Sequence, residues 1–393
     1  MSGEAGWGSL LAGLAGDLRG HLGTAHRLAR DLLGPDPVQV VAYRGYGTAE
    51  RAWVVGRVLE NERVSAATIT DSRWRNLVNT LKRLESDEVP HARVRVTWSG
   101  AAHELTSDDD GYIAGWVTPA APLPADRSWH PVALELISPI YEGAEPARTT
   151  GDVLVPPPSA EYGVISDLDD TVIRTEATDL VRMARATLFE NARTRLPFPG
   201  VAAFYGALRQ GAHGSADNPM FYVSSSPWNL YDLLTEFLSL QGIPDGPLVL
   251  RDWDLAVPRG GHAPHKLGAI ARIMDTYPRL PFILIGDSGQ EDPEIYREVV
   301  RRYPTRILAA YIRNVTPDPH RSAAIRALAA EVVEAGSTLI LADDTLAAAR
   351  HALERGWIGR EGLGEVGEEK RKDEAGMVNP DKAETVVVEG GGT

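Results

Sequence analysis

The sequence contains no cysteine. That excludes disulfides, a thiolate nucleophile and any cysteine-based zinc or iron–sulfur site, and it leaves the compartment open. It has no run of about 18 apolar residues, so no transmembrane helix is expected. The opening stretch carries Glu4 and Asp17 and lacks the basic segment of a signal peptide. An excess of positive charge is missing too, since 40 Lys and Arg face 54 Asp and Glu for a net charge of −14. Broad attraction to nucleic acid or to an anionic membrane is therefore not expected, and any such binding has to be local. What is present is ordinary for a globular chain: 43% hydrophobic and 24% charged residues, which excludes a mostly disordered protein. At 393 residues, two or three domains are expected.

Four segments are expected along the chain. Residues 1–37 read as an amphipathic helix, with Trp7, Leu10, Leu11, Leu14, Leu18, Leu22, Leu28 and Leu32 on one face, stopped by Gly34-Pro35-Asp36-Pro37. That helix suits either a membrane surface or partner, or docking on its own protein; a polar face of mixed sign favours the second. Residues 38–156 read as a β-sandwich. Val94, Val96 and Trp98 alternate with Arg93, Arg95 and Thr97, and Val132, Leu134 and Leu136 repeat the pattern. One helix carrying Trp74, Leu77, Leu81 and Leu84 interrupts it, and Ser107–Tyr112 reads as a tight turn more readily than as a cation loop. The pattern resembles a transthyretin-like or carboxypeptidase-regulatory-like sandwich. Pro156-Pro157-Pro158 forms a stiff joint. From 157 to 355 the period changes to short apolar runs separated by helices, the pattern of a parallel sheet with crossover helices in an α/β fold. The runs are Gly163–Ile165, Met220–Val223, Leu248–Leu250, Phe282–Ile285 and Arg306–Ile312, with Thr338–Leu341 as a sixth. Residues 356–393 are charged and glycine-rich and read as a disordered tail.

Parallel sheets build their sites at the carboxyl ends of the strands. Behind the first run stands Ser166-Asp167-Leu168-Asp169-Asp170-Thr171. Three carboxylates within four residues repel one another; they are tolerable only if a cation or a reaction uses them or if they point to solvent, and the Val and Ile strand leading into them makes solvent the weaker option. Behind the second run stands Ser224-Ser225-Ser226-Pro227, where Ser226 can cap a helix that Pro227 opens. The N–H groups of that helix start and the Ser224 hydroxyl would form a phosphate site. Behind the fourth run stands Gly286-Asp287-Ser288-Gly289-Gln290-Glu291-Asp292, carboxylates suited to a hard cation. Lys266 opens the preceding helix and can reach the same rim. Weaker candidates are His262 and His265 in a polar loop, Trp228 and Tyr231 either at the substrate entrance or packed beside the sheet, and Asp343 and Asp344, one of which caps a helix.

These four pieces, in this order, resemble the haloacid dehalogenase superfamily of aspartate-nucleophile phosphatases: Asp167-x-Asp169-x-Thr171, Ser224, Lys266, then Asp287 with Asp292. The strings around them, Gly163–Ile173, Phe221–Tyr231 and Ile285–Glu294, resemble the actin-patch-associated phosphatidate phosphatase family, which is related to the lipin phosphatases. The resemblance implies a haloacid-dehalogenase-like sheet and a Mg²⁺ cofactor. It implies that Asp167 is the nucleophile and Asp169 the general acid and base. It also implies that Thr171, Ser224, Ser225 and Lys266 bind the phosphoryl group, and that Asp167, the Asp169 carbonyl and Asp287 hold the metal. Glu291 and Asp292 would orient Lys266 or a metal-bound water.

The expected activity is hydrolysis of phosphatidate to diacylglycerol and phosphate. The substrate would be a phospholipid at a membrane surface, with no nucleic-acid partner and a cytoplasmic or peripheral location. Helical spacing of Leu180, Met183, Ala184, Leu188 and Phe189 leaves no room for a large cap over the site, which favours a substrate too large to engulf. The alternatives are a phosphatase of a protein, nucleic-acid end or soluble metabolite, and a binding module with the sandwich as its working part. The intact acid cluster with Lys266 argues against the last.

Overall fold

The computed structural model describes residues 38–60, 88–141, 145–168, 198–251, 263–315 and 318–378. The expected helices at 1–37 and around Trp74, together with Asp169, Thr171, the 172–197 segment, His262 and residues 379–393, lie outside the described residues.

The first sheet holds β1 (Val38–Ala42), β2 (Gly45–Gly47), β3 (Ala52–Glu60), β4 (Arg93–Trp98), β5 (Ala101–Thr106), β6 (Tyr112–Val117), β7 (Trp129–Ser138) and β8 (Arg148–Leu154). These strands form one hydrogen-bonded sheet in the order β1-β3-β2-β8-β7-β4-β5, with β6 on the other edge of β3. Pairing is antiparallel except between β2 and β8. The alternation read in β4 is real: Val94, Val96 and Trp98 are fully buried while Arg93 and Arg95 face solvent. Inward residues of β1, β3, β4, β6, β7 and β8 meet in a single apolar core, so the sheet folds over itself around one interior. The reversal between β4 and β5 needs only Ser99 and Gly100, both at positive φ, the geometry that matches strand twist in a two-residue hairpin. The acidic loop before β6 is a turn, in which Asp108 accepts the backbone N–H groups of Asp110 and Tyr112.

The second sheet is parallel throughout. It holds β9 (Gly163–Asp167), β10 (Met220–Pro227), β11 (Leu248–Arg251), β12 (Phe282–Asp287), β13 (Ile307–Arg313) and β14 (Leu339–Ala342), in the order β11-β10-β9-β12-β13-β14. All five expected runs and the sixth fall on these strands. Successive side chains of β9 feed opposite faces. Val164 enters the core beneath α1 (Val201–Gln210), α2 (Tyr231–Leu240) and α6 (Thr345–Glu354). Ile165 enters the core beneath α3 (Ala263–Thr276), α4 (Asp292–Arg302) and α5 (Pro319–Glu334). Both faces being covered, the strands need apolar residues at every position, which is why they read as unbroken runs. The strand order reverses between β9 and β12, and the crevice at the carboxyl ends of these two strands is where such sheets take ligands.

Two expectations are corrected. Within the segment expected as a tail, residues 360–378 form a helix: α7 (Arg360–Val378) packs on α1 and α6. Val366 is fully buried, and Asp373 and Glu369 accept the first free N–H groups of α1, from Gly200 and Ala203. Ser226 caps no helix. Strand β10 continues to Pro227, which pairs with Arg251, and α2 starts only after a short 3₁₀ turn, with no side-chain cap. Asp344, by contrast, caps α6 by accepting from Ala347 N–H at 2.8 Å.

The two sheets pack against each other through aromatic side chains. Tyr43 stacks on Trp228 at 4.7 Å and lies 4.5 Å from Tyr231, whose hydroxyl accepts the Arg44 N–H. Trp228 and Tyr231 are therefore part of the joint between the sheets, neither at an entrance nor simply beside the second sheet.

Candidate active site

Two of the candidate side chains, Asp167 and Asp287, stand where a strand runs out. Asp167 is the last residue of β9 and is 2% exposed. It pairs in register with Val223, so Ser224, fully buried, follows immediately beside it. Asp287 ends β12, the neighbour of β9 on the other side. Lys266, in the first turn of α3, comes in from the side with 3% exposure.

Lys266 Nζ lies 2.6 Å from Asp167 Oδ1 and 2.9 Å from Asp292 Oδ1, and it donates to Gln290 Oε1 at 3.0 Å. Asp292 Oδ2 accepts the Asp287 N–H at 3.1 Å. Asp287 Oδ1 in turn accepts the N–H groups of Gly289 at 2.6 Å and Gln290 at 3.0 Å. Asp167, Asp287 and Asp292 each offer one oxygen to a group whose atoms all lie within 4.8 Å of one another. Among the described residues, Lys266 is the cation in contact with this group of three buried carboxylates. Burial first, and the Asp292 charge second, push Asp287 up to about 7 against the pull of Lys266. A buried acid cluster in that condition is short of positive charge, and oxygen donors at this spacing suit a divalent ion. The chemistry of this oxygen donor set fits a hard divalent cation such as Mg²⁺. Both oxygens of Asp292 accept hydrogen bonds, one from Lys266 Nζ and one from the Asp287 N–H. Glu291 is exposed and stays outside the cluster.

The phosphate site expected behind β10 takes a different form. Ser224 Oγ accepts the Ser226 N–H at 2.9 Å, so the turn is closed by a side chain where a helix start was expected. Ser225 is half-buried in that turn. His265 is not in a polar loop. It sits on α3, and its ring makes a hydrogen bond with the Ser224 backbone; burial first, then Arg251 and Arg272, lower it to about 4, so it is a neutral imidazole near pH 7.

Two groups escape a reading of the sequence. Gln290 lies inside the fourth motif but gains its role only by meeting Lys266 across 24 positions. Arg321, on α5, donates to the carbonyls of Ser288 and Gln290 and makes a two-pronged pair with Glu294. It pins the loop whose N–H groups hold Asp287. No local signal marks it, because every partner is at least 27 residues away.

At the switch point of this parallel sheet a buried Lys meets three Asp, and over residues 162–314 the chain matches the family described as phosphatidate phosphatase APP1, catalytic domain. The resemblance read from the motifs holds over this segment. Phosphatidate phosphatase APP1 of Saccharomyces cerevisiae is 32% identical over 185 residues, which is 46% of this chain and 30% of that protein. An uncharacterized protein of Schizosaccharomyces pombe is 27% identical over 158 residues, 39% of this chain and 25% of that one. The chain spans under a third of the length of these relatives. Among solved structures, a carbohydrate acetylesterase from Xanthomonas citri aligns over 74% of this chain and 72% of that chain at 12% identity, with a TM-score of 0.23, too low to carry an argument. Among the described residues, no helix is long and apolar enough to cross a membrane.

Proposed function

We propose that the crevice at β9 and β12 hydrolyses a phosphoric monoester, and that the substrate is phosphatidate, converted to diacylglycerol and phosphate. The observation that carries the reading is the pairing of Asp167 with Lys266 at 2.6 Å inside a buried group of three carboxylates. The S. cerevisiae relative's name and the family match support the substrate. A haloacid-dehalogenase-like arrangement is the fold reading that goes with it.

Lys266 keeps Asp167 ionised and aimed, so that its oxygen attacks phosphorus and the bond to the leaving oxygen breaks. Asp169, two residues beyond the nucleophile, gives its proton to the departing alkoxide. The aspartyl-phosphate is then attacked by water that returns its proton to Asp169. The bond from Asp167 to phosphorus breaks, and the carboxylate is restored. Lys266 and Ser224, with Thr171 and Ser225, would bind the phosphoryl oxygens as their charge grows. When bound, Mg²⁺ would offset the charge of the phosphate dianion and hold it in line; Asp167, Asp287 and the Asp169 carbonyl would hold it. A cytoplasmic protein visiting the membrane surface is the setting this reading requires.

The test is turnover of phosphatidate in mixed micelles, beside a soluble sugar phosphate, with Mg²⁺ and with chelator. Asp167→Asn should fold normally and lose activity by several orders of magnitude, because the amide cannot form the acyl-phosphate. A folded Asp167→Asn variant with near-normal turnover would refute the mechanism. Equal kcat/KM on the sugar phosphate, with no lipid turnover, would discard the lipid and keep the phosphatase.

A further inference from the structure

A second cleft, of about 440 Å³, lies between the two sheets and away from the carboxylate cluster. Arg51 and Trp116 line it from the first sheet, Arg272 from α3 and Arg302 from the end of α4. Helix α3 links it to the site: Lys266 stands in the first turn, and Arg272 lies about 9 Å further along the axis. In a chain of net charge −14, three guanidinium groups meeting in one cleft run against the overall balance.

None of the three has a carboxylate within ion-pairing distance among the described residues, and each lies over an aromatic ring instead. Arg51 sits 4.3 Å from the centre of Trp116, Arg272 5.2 Å from Trp53 and Arg302 5.4 Å from Tyr303. Contact with a ring face holds a guanidinium without using its N–H donors. The one acid of the lining, Asp275, already accepts the Tyr303 hydroxyl at 2.8 Å. The floor is open where α3 passes: a Cβ built on Gly268 meets nothing within 4 Å. Arginines placed over aromatic rings, with open donors beside apolar surface, form a receptor for an oxyanion carrying an apolar body.

We propose that this cleft binds a phosphate ester, at a site separate from the catalytic crevice. Its donors recognise the phosphate, and Trp116 and the bare flank of α3 receive the attached apolar portion. The site supplies the local positive patch that an acidic protein needs to meet an anionic phosphate, and its contacts are independent of the reaction assigned to β9 and β12.

Binding to the full chain is measured by calorimetry with glycerol 3-phosphate, and by co-sedimentation with phosphatidylcholine vesicles with and without phosphatidylglycerol. The proteins are wild type, Arg51→Glu/Arg302→Glu and Lys266→Met. The double variant should bind at least about tenfold more weakly, as expected when charge-assisted hydrogen bonds are lost. Lys266→Met should keep the binding that the double variant loses, which separates the cleft from the catalytic crevice. Binding should also weaken with added salt. Turnover of a soluble aryl phosphate by the double variant should be unchanged, showing that its fold and crevice are intact. Binding of glycerol 3-phosphate alone identifies a soluble ester as the ligand, and binding of the anionic vesicles alone identifies a lipid headgroup. No binding to either, or binding that the double variant leaves unchanged, overturns the proposal. Loss of binding in Lys266→Met equal to that in the double variant overturns it as well, since the ligand would then sit in the crevice.

Discussion

Replacing Lys266 with Met removes the cation that three buried carboxylates share. Lys266 contacts Asp167 at 2.6 Å and Asp292 at 2.9 Å, with 3% exposure. Methionine fills much the same volume, so the loss is electrostatic. Two unit charges at the 4.8 Å limit of the cluster repel by about 3.5 kcal/mol at an effective dielectric constant of about 20. Breaking a buried pair by removing one partner costs about 3–5 kcal/mol by general experience, the same range. The loss must depend on pH. Asp287 is already raised to about 7 with Lys266 in place, whereas an unfolded Asp titrates near 4. An acid raised in the folded state costs nothing below its unfolded value, and its cost grows until the pH passes its folded value. Wild-type stability therefore falls from about pH 4 to about pH 7 on this account, and without Lys266 the fall is steeper and runs to higher pH. The assay is urea denaturation of both proteins at pH 5 and pH 8, with and without Mg²⁺. The expected gap is about 3–5 kcal/mol at pH 8 and less than half of that at pH 5, and Mg²⁺ should recover part of it at pH 8. A gap of equal size at both pH values would show that Lys266 is lost as packing and not as charge, and the reasoning fails.

Other expectations follow from the same contacts. Gly286→Ala puts a Cβ 2.5 Å from Asp292 Oδ2 and 2.8 Å from Asp292 Cβ; Asp292 must move, and activity should drop by about tenfold or more, read from kcat on an aryl phosphate. Arg321→Gln releases the loop that holds Asp287, so the Mg²⁺ concentration for half-maximal activity should rise about tenfold while kcat at saturating metal changes little; an unchanged metal requirement would contradict this positioning role. Ca²⁺ in place of Mg²⁺ should inhibit, because its looser coordination spoils in-line alignment, and Ca²⁺-supported turnover at normal rate would oppose it. Val366→Asp buries a charge between α7 and α1 at a fully buried position; the melting temperature should fall by several degrees or the protein should fail to fold.

The strands of the second sheet and the polar ends behind them were legible for one physical reason. A strand covered on both faces must be apolar throughout, and carboxylates directly after such a run stand where the chain leaves the core. Asp167, Ser224 and Asp287 are readable in that way, and Lys266 because its helix begins at the same rim. The legible part stops where partners are set by tertiary pairing. Ser226-Pro227 has the local form of a helix start, but Pro227 lies in register with Arg251, and the strand runs four residues past the expected Val223. Helix α7 shows the opposite case. Its glycines at 362, 364 and 367 argue against a helix by propensity, and with few apolar residues the segment has the composition of a tail. One of those glycines is what lets the helix dock: a Cβ at Gly362 would stand 2.6 Å from the Ala207 Cβ on α1. The same residue that weakens the isolated helix permits its closest contact. Asp373 and Glu369 then complete it by accepting the N–H groups that open α1, which lies between β9 and β10 and covers the strand that carries Asp167. Composition hid this helix because its stability comes from what it covers, and a site built at strand ends depends on such cover for the burial that gives Asp287 its raised affinity for a proton and the cluster its need for a cation.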